Sequence, residues 1–208
     1  MPVPSRLAPL LAQFDFARQR LGDRMAGPLM DSGNGTEVQV GPMTDAEYLW
    51  EPGPGCWSVR RHADGPGPGA TVLVGAGEFG RDTTPPPHPE PAPFTTIAWR
   101  LSHLAELLAL RADHTNGSHS LTRDDYRVSG DVATAVEAFS AAADAWRDAL
   151  LSADDEALDT VGHCTYPHGS DPEELFLDVV WWVNQEILHH GAEIALLRDL
   201  YRLGNATS

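Results

Sequence analysis

Apolar residues recur at three- and four-residue spacing over long stretches of the chain, the period of an amphipathic helix. The first stretch covers about residues 5–30, with Leu7, Leu10, Leu11, Phe14, Ala17, Leu21 and Met25 on one stripe. Pro9 falls in its opening turns, where a missing N–H costs least, and Gly27-Pro28 ends it. A second helix is expected over about 95–112. A third covers about 131–151, with Asp131 near its cap and Val132, Val136, Phe139, Ala143, Trp146 and Leu150 inward. The fourth covers about 172–202. Asp171 stands at its N-cap, Pro172 at its first position, Glu173 and Glu174 in its first turn, and Arg198, Arg202 and Gly204 at its far end. Its apolar stripe is Val183, Ile187, Ile194, Leu197 and Tyr201.

Between the first and second helices the period disappears. Most of the 17 prolines and 19 glycines fall there. Met43–Glu47 reads as a short turn capped by Thr44 or Asp45, and Ala70–Val74 as a strand or packed loop. Thr84–Pro91 can be neither helix nor central strand. The pattern predicts an all-α fold. It is a four-helix bundle in one domain, 1–208, with a long irregular crossover between helices one and two. Residues 31–94 are expected to be mostly loop.

Composition narrows the function. The 208 residues are 42% apolar and 21% charged, enough for a packed core. All 14 basic residues are arginine, against 30 acidic ones, for a net charge of −16. No basic cluster exists to displace phosphate counterions, so neither nucleic acid nor an anionic membrane is an expected partner. Cys56 and Cys164 do not make a disulfide framework. No apolar run reaches the roughly 18 residues of a spanning helix, and Met1–Arg6 lacks the pattern of a signal peptide. A cytoplasmic protein is the expectation.

Candidate chemistry gathers on the fourth helix. His190 lies on its apolar stripe, and Glu186 sits one turn before it on the same face. A carboxylate and an imidazole so spaced can grip one divalent ion. Glu193 is placed to support His190 from behind, while His189 is rotated by about 100° and either flanks the site or meets a neighbouring chain. His103 on the second helix is a candidate third ligand, though spacing alone cannot pair the two helices. Three protein ligands leave open positions for water or substrate.

Three segments carry a resemblance. Thr95–Leu104, Ala46–Ser58 and Asn184–Ile194 resemble, in order, the second-helix, connector and fourth-helix signatures of the DinB/YfiT-like superfamily. The resemblance implies a four-helix bundle and a divalent metal held by three histidines, one from helix two and two from helix four. Carried onto this chain, the positions are His103, Glu186 and His190, so a carboxylate stands where the family has an imidazole. Zinc is the foremost ion for such a set, with nickel, iron or manganese as alternatives. Family members of known chemistry are S-transferases or isomerases that use mycothiol, bacillithiol or glutathione. The resemblance therefore implies activation of a mycothiol-like thiol co-substrate for attack on a small molecule. A metal-dependent hydrolase and a non-enzymatic, stress-related binding protein are the alternatives, and a homodimer is an expected assembly. Ligand histidines must be neutral, so metal affinity should fall below a pH of about 6 to 6.5.

Other residues have competing readings. Trp57 either lines the pocket mouth or pins the crossover to the bundle, and the second is preferred. Cys56 reads as an inert thiol. His163, Cys164 and His168 fit no closed zinc motif, so Gly162–Gly169 reads as a loop over the open end of the bundle, with Tyr166 or His168 shaping the pocket. Arg60, Arg61, Arg81 and Arg100 either meet an anionic substrate group or are ordinary surface charges, Arg100 being the first to test. His62, His88, His114 and His119 are expected to be solvated. Adjacent Trp181 and Trp182 cannot share one face, so one meets a second subunit or lies under the crossover.

Overall fold

The computed structural model describes residues 2–27, 29–31, 37–39, 41–87 and 89–206. Four long helices form a ring: α1 (Ala8–Ala26), α3 (Ile97–Asn116), α4 (Val132–Ser152) and α6 (Phe176–Ala206), with short turns α2 (Asp45–Tyr48) and α5 (Asp155–Leu158) between them. Each long helix packs on two others, α1 on α4 and α6, and α3 on α4 and α6. The expected bundle is therefore the fold. Its core holds Phe14, Leu101, Leu104, Leu108, Trp146, Phe176, Val183 and Ile187, all buried. No helix among the described residues is long and apolar enough to cross a membrane.

Capping chemistry sets the helix limits. Gly27 adopts the left-handed conformation (φ 78°) and returns its N–H to Asp23 O, so α1 closes at Ala26 rather than near residue 30. Thr96 Oγ1 accepts from Trp99 N at 3.2 Å and starts α3, and Asp131 accepts from Thr134 N at 2.8 Å to start α4. Asn184 on α6 donates to Leu10 O at 2.8 Å, locking α6 against α1.

The start of α6 differs from the expectation. Asp171–Glu173 make a separate 3-10 turn, and α6 begins at Phe176. Asp171 is buried and turned toward Arg111 (3.1 Å), which leaves its carboxylate unable to cap a helix. Glu174 is extended, and Leu175 bridges to Val161, so the helix restarts after a break. At the other end Arg198 is not a terminal charge. It is buried and donates to Glu47 at 2.6 Å, tying the end of the bundle to the crossover.

The crossover is more ordered than a run of loop. Strand β1 (Leu29–Asp31) pairs antiparallel with β2 (Glu37–Gln39). Thr44, not Asp45, caps α2, while Asp45 accepts from Val132 N at 2.8 Å ahead of α4. Strands β3 (Val59–Arg61), β4 (Val72–Val74) and β5 (Phe79–Thr83) form an antiparallel sheet in the order β3-β5-β4. Buried Asp82 holds this sheet, accepting from Ser58 N (2.9 Å), Gly67 N (2.7 Å) and Arg60 Nε (2.8 Å). Trp57, also buried, accepts from Thr96 N at 3.0 Å and donates to Phe94 O at 2.8 Å. The sheet is thereby fastened to the first turn of α3, which carries the site.

Candidate metal centre

His103 stands on α3, and Glu186 and His190 stand one turn apart on α6. The helix packing brings the three together. His103 Nε2 lies 3.2 Å from Glu186 Oε2, and His190 Nε2 lies 3.4 Å from the same oxygen. One ligand atom from each falls within 4.8 Å of the others, and among the described residues this is the grouping that could share an ion. The two imidazoles meet edge to face at 5.0 Å, and all three side chains are partly buried.

Burial sets the charge states. It pulls His103 down to about 4, helped by nearby Arg81 and His190 and opposed by the contact with Glu186. Hydrogen bonds from His103 and His190 hold Glu186 far below the usual carboxylate range, outweighing its own burial. At neutral pH the pair is therefore a neutral ring beside an anion, the forms in which both bind metals.

Behind the site runs a chain of supports. Glu193 Oε2 sits 2.7 Å from His190 Nδ1. An ionised carboxylate only accepts, so Nδ1 carries a proton and Nε2 is the ring nitrogen turned to Glu186. Arg100 Nη1 reaches the same Glu193 oxygen at 2.7 Å, and Arg100 Nε donates to Thr95 Oγ1 at 2.7 Å. Trp99 stacks on His103 at 5.3 Å. His189 stacks on His190 at 4.8 Å but is largely exposed and turns to Glu193 (3.3 Å).

A cavity of about 210 Å³ opens beside His103. Tyr166 and His168 line it, and so do Glu106, Arg111, Arg123 and Trp182. Trp182 faces this cavity, whereas Trp181 is 59% exposed. Trp57 is not among the lining residues; it anchors the crossover to α3 instead.

None of the four arginines singled out from sequence lines the cavity. Arg100 is engaged by Glu193 and Thr95. Arg81 is fully buried on Glu106 at 3.0 Å, so it is no surface charge. Arg60 pairs with Asp82 and Glu51, and Arg61 with Glu78 at the surface. The guanidiniums at the cavity are Arg111 and Arg123. Helical spacing offered a signal for Glu106 and Arg111, three and eight residues after His103; Arg123 comes from the loop before α4 and had none.

His114 departs from the expectation of solvation. It is buried, with Nε2 2.9 Å from Leu121 O, because the chain after α3 folds back over it. His62 and His119 are exposed as expected, and His88 lies outside the described residues. Cys56 and Cys164 are both buried. Burial pushes the Cys164 thiol up to about 11, and its S–H points to Asp171 at 3.4 Å. His163 packs on Phe176 at 4.7 Å and forms no metal group with Cys164 and His168 among the described residues.

Comparison with known proteins bears on this geometry. A family model described as the DinB superfamily matches residues 32–194. No curated protein and no solved structure matches the chain.

Proposed function

The chain belongs to the DinB superfamily, and from that footing we propose that it binds one divalent ion through His103, Glu186 and His190 and uses it to activate a small thiol. The observation that carries this reading is the convergence of the three side chains from two helices, with Glu193 orienting His190. The donor set suits a divalent ion. Tetrahedral ligands at about 2.1 Å from a zinc ion stand about 3.4 Å apart, close to the 3.2 and 3.4 Å separations here. Two imidazoles and one carboxylate suit zinc foremost, and also nickel, iron(II) and manganese.

Held by His103, Glu186 and His190, a divalent ion would supply a lowered pKa to a bound thiol or water. The thiol has to come from a co-substrate. Both cysteines of the chain are buried, and Cys164 is held protonated by its surroundings. A mycothiol-like compound, with S-transfer or isomerisation as the reaction, is the reading that the family supports. Activation of water in a hydrolase is the second reading, and Glu186 favours it. A carboxylate ligand reduces the charge of the site and suits harder ions. Residues of this chain then hold and orient: Trp99 stacks on His103, and Glu193 holds His190 from behind.

Elemental analysis of purified protein tests the reading, beside His103→Ala and His190→Ala. The wild type should carry about one equivalent of zinc after reconstitution, and each variant almost none while keeping a helical circular dichroism spectrum. A wild type that takes up no stoichiometric ion would overturn the proposal. Metal-dependent consumption of a thiol with monochlorobimane would then favour the transferase; thiol-independent ester hydrolysis would favour the hydrolase.

A further inference from the structure

The cavity beside His103 is cationic in a strongly anionic protein, and we propose that it selects a small substrate bearing a carboxylate or similar anionic group, seated on Arg123. The inference deepens the metal-centre reading and rests on it for the reaction, though not for the binding. The chain carries −16 overall, and a typical patch of its surface repels anions. Around this cavity the balance reverses. Arg111 and Arg123 line it against a single lining carboxylate, Glu106, which buried Arg81 also engages from the interior. The Glu186 carboxylate that touches His103 lies outside the lining.

The surplus sits on Arg123. Arg111 is committed: it faces Asp171 at 3.1 Å and is stacked between Tyr166 (4.2 Å) and Trp182 (4.8 Å). Arg81 is sealed in the interior over Trp99. Arg123 uses Nε on Glu106 at 3.1 Å, and its side chain is 40% exposed. No other hydrogen bond to it occurs among the described residues, so both Nη groups remain for a ligand. A guanidinium fork anchored at one nitrogen presents the others in fixed geometry, the arrangement that suits a carboxylate or phosphate. The cavity walls, Tyr166 and Trp182, are flat and aromatic, and about 210 Å³ holds only a compact ligand. A small carboxylate on an apolar or aromatic body fits these features.

Phenylacetate and the neutral phenylacetamide are a matched pair of probes. Isothermal titration of metal-stripped wild type should show phenylacetate binding at least about tenfold tighter, as a charge-assisted fork implies. Arg123→Gln should abolish that preference. Arg61→Gln, which removes the same charge from the outer sheet, should leave it unchanged. Equal binding of the two probes, no saturable phenylacetate binding, or a preference that survives Arg123→Gln would each overturn the proposal. So would a preference seen only after zinc is added, since the ion and not Arg123 would then be the selector. A protein that takes up no zinc yet keeps the anion preference would sink the metal reading and leave this one standing.

Discussion

Glu193 does more for the site than its distance from the ion position suggests. Its Oε2 receives both His190 Nδ1 and Arg100 Nη1 at 2.7 Å, so one oxygen orients the imidazole and is itself positioned by a guanidinium. Residues in this supporting position typically change metal affinity by about 10–100-fold when removed. Glu193→Ala should therefore weaken zinc binding by about that factor while stoichiometry stays at one ion, read by competition with a chromophoric chelator. An unchanged affinity would mean that Nδ1 finds another acceptor and that the Glu193 contact is incidental. At this scale the ligands were legible because helical spacing puts residues 186, 190 and 193 on neighbouring turns. The partnership with His103 was not, since nothing in a helical period says which helix faces which. The resemblance to a known family supplied that step, and the packing of α3 on α6 supplies it physically. Arg111 and Arg123 escaped notice for a related reason: one lies two turns beyond His103, and the other reaches the cavity only because a loop folds back.

The elements owe their limits to single polar side chains, and the end of α3 shows how. Asp113 accepts backbone N–H groups from Ser118 (2.8 Å), Ser120 (2.9 Å) and Leu121 (2.9 Å), and so folds the following loop over the helix. Partial burial pushes its carboxyl up, but these hydrogen bonds outweigh that and hold it at about 2, against an ordinary 3.8. A depressed carboxyl stabilises the fold fully above its unfolded value and loses that contribution as pH falls through the folded one. Asp113→Ala should cost about 1–2 kcal/mol in urea unfolding at pH 7, the scale of a lost cap. The cost should stay level from pH 7 to 5 and shrink below about pH 4. A difference that holds steady into acid would show that packing, and not the charge, is what the carboxylate provides.

The same reasoning explains which elements sequence patterns reveal. Helices of 19 to 31 residues repeat their period several times, so α1, α3, α4 and α6 stood out, with ends wrong by up to a turn. Strands of three to five residues carry too little alternation to stand out: β3 and β5 went unread in the proline- and glycine-rich crossover, and β4 was legible only as a strand or packed loop over 70–74. What makes them strands is tertiary: the Asp82 carboxylate gathers two backbone N–H groups and Arg60 across the sheet. Asp171-Pro172 misled for the opposite reason. It has the local chemistry of a helix start, yet Arg111 captures the carboxylate from 60 residues away.

For the whole molecule, the site is a clamp between its two halves. α3 packs on α4 and α6 packs on α1, while the candidate ligands span the α3–α6 contact. An ion bound there cannot bind the unfolded chain with the same geometry, so binding energy becomes folding energy. At a free ion concentration about 100 times the dissociation constant, the gain is about 2.7 kcal/mol. In a chain of this length each kcal/mol moves the melting temperature by about 2–4 °C. Zinc-loaded protein should therefore melt about 5–10 °C above protein stripped with chelator, and the gap should vanish in His103→Ala. The acidic surface makes the control necessary. Thirty carboxylates attract cations weakly everywhere, and magnesium at the same ionic strength measures that general effect. If magnesium reproduces the full shift, or if His103→Ala keeps it, the stabilisation comes from surface screening. The two helices would then be joined at this point by a hydrogen bond and not by a metal.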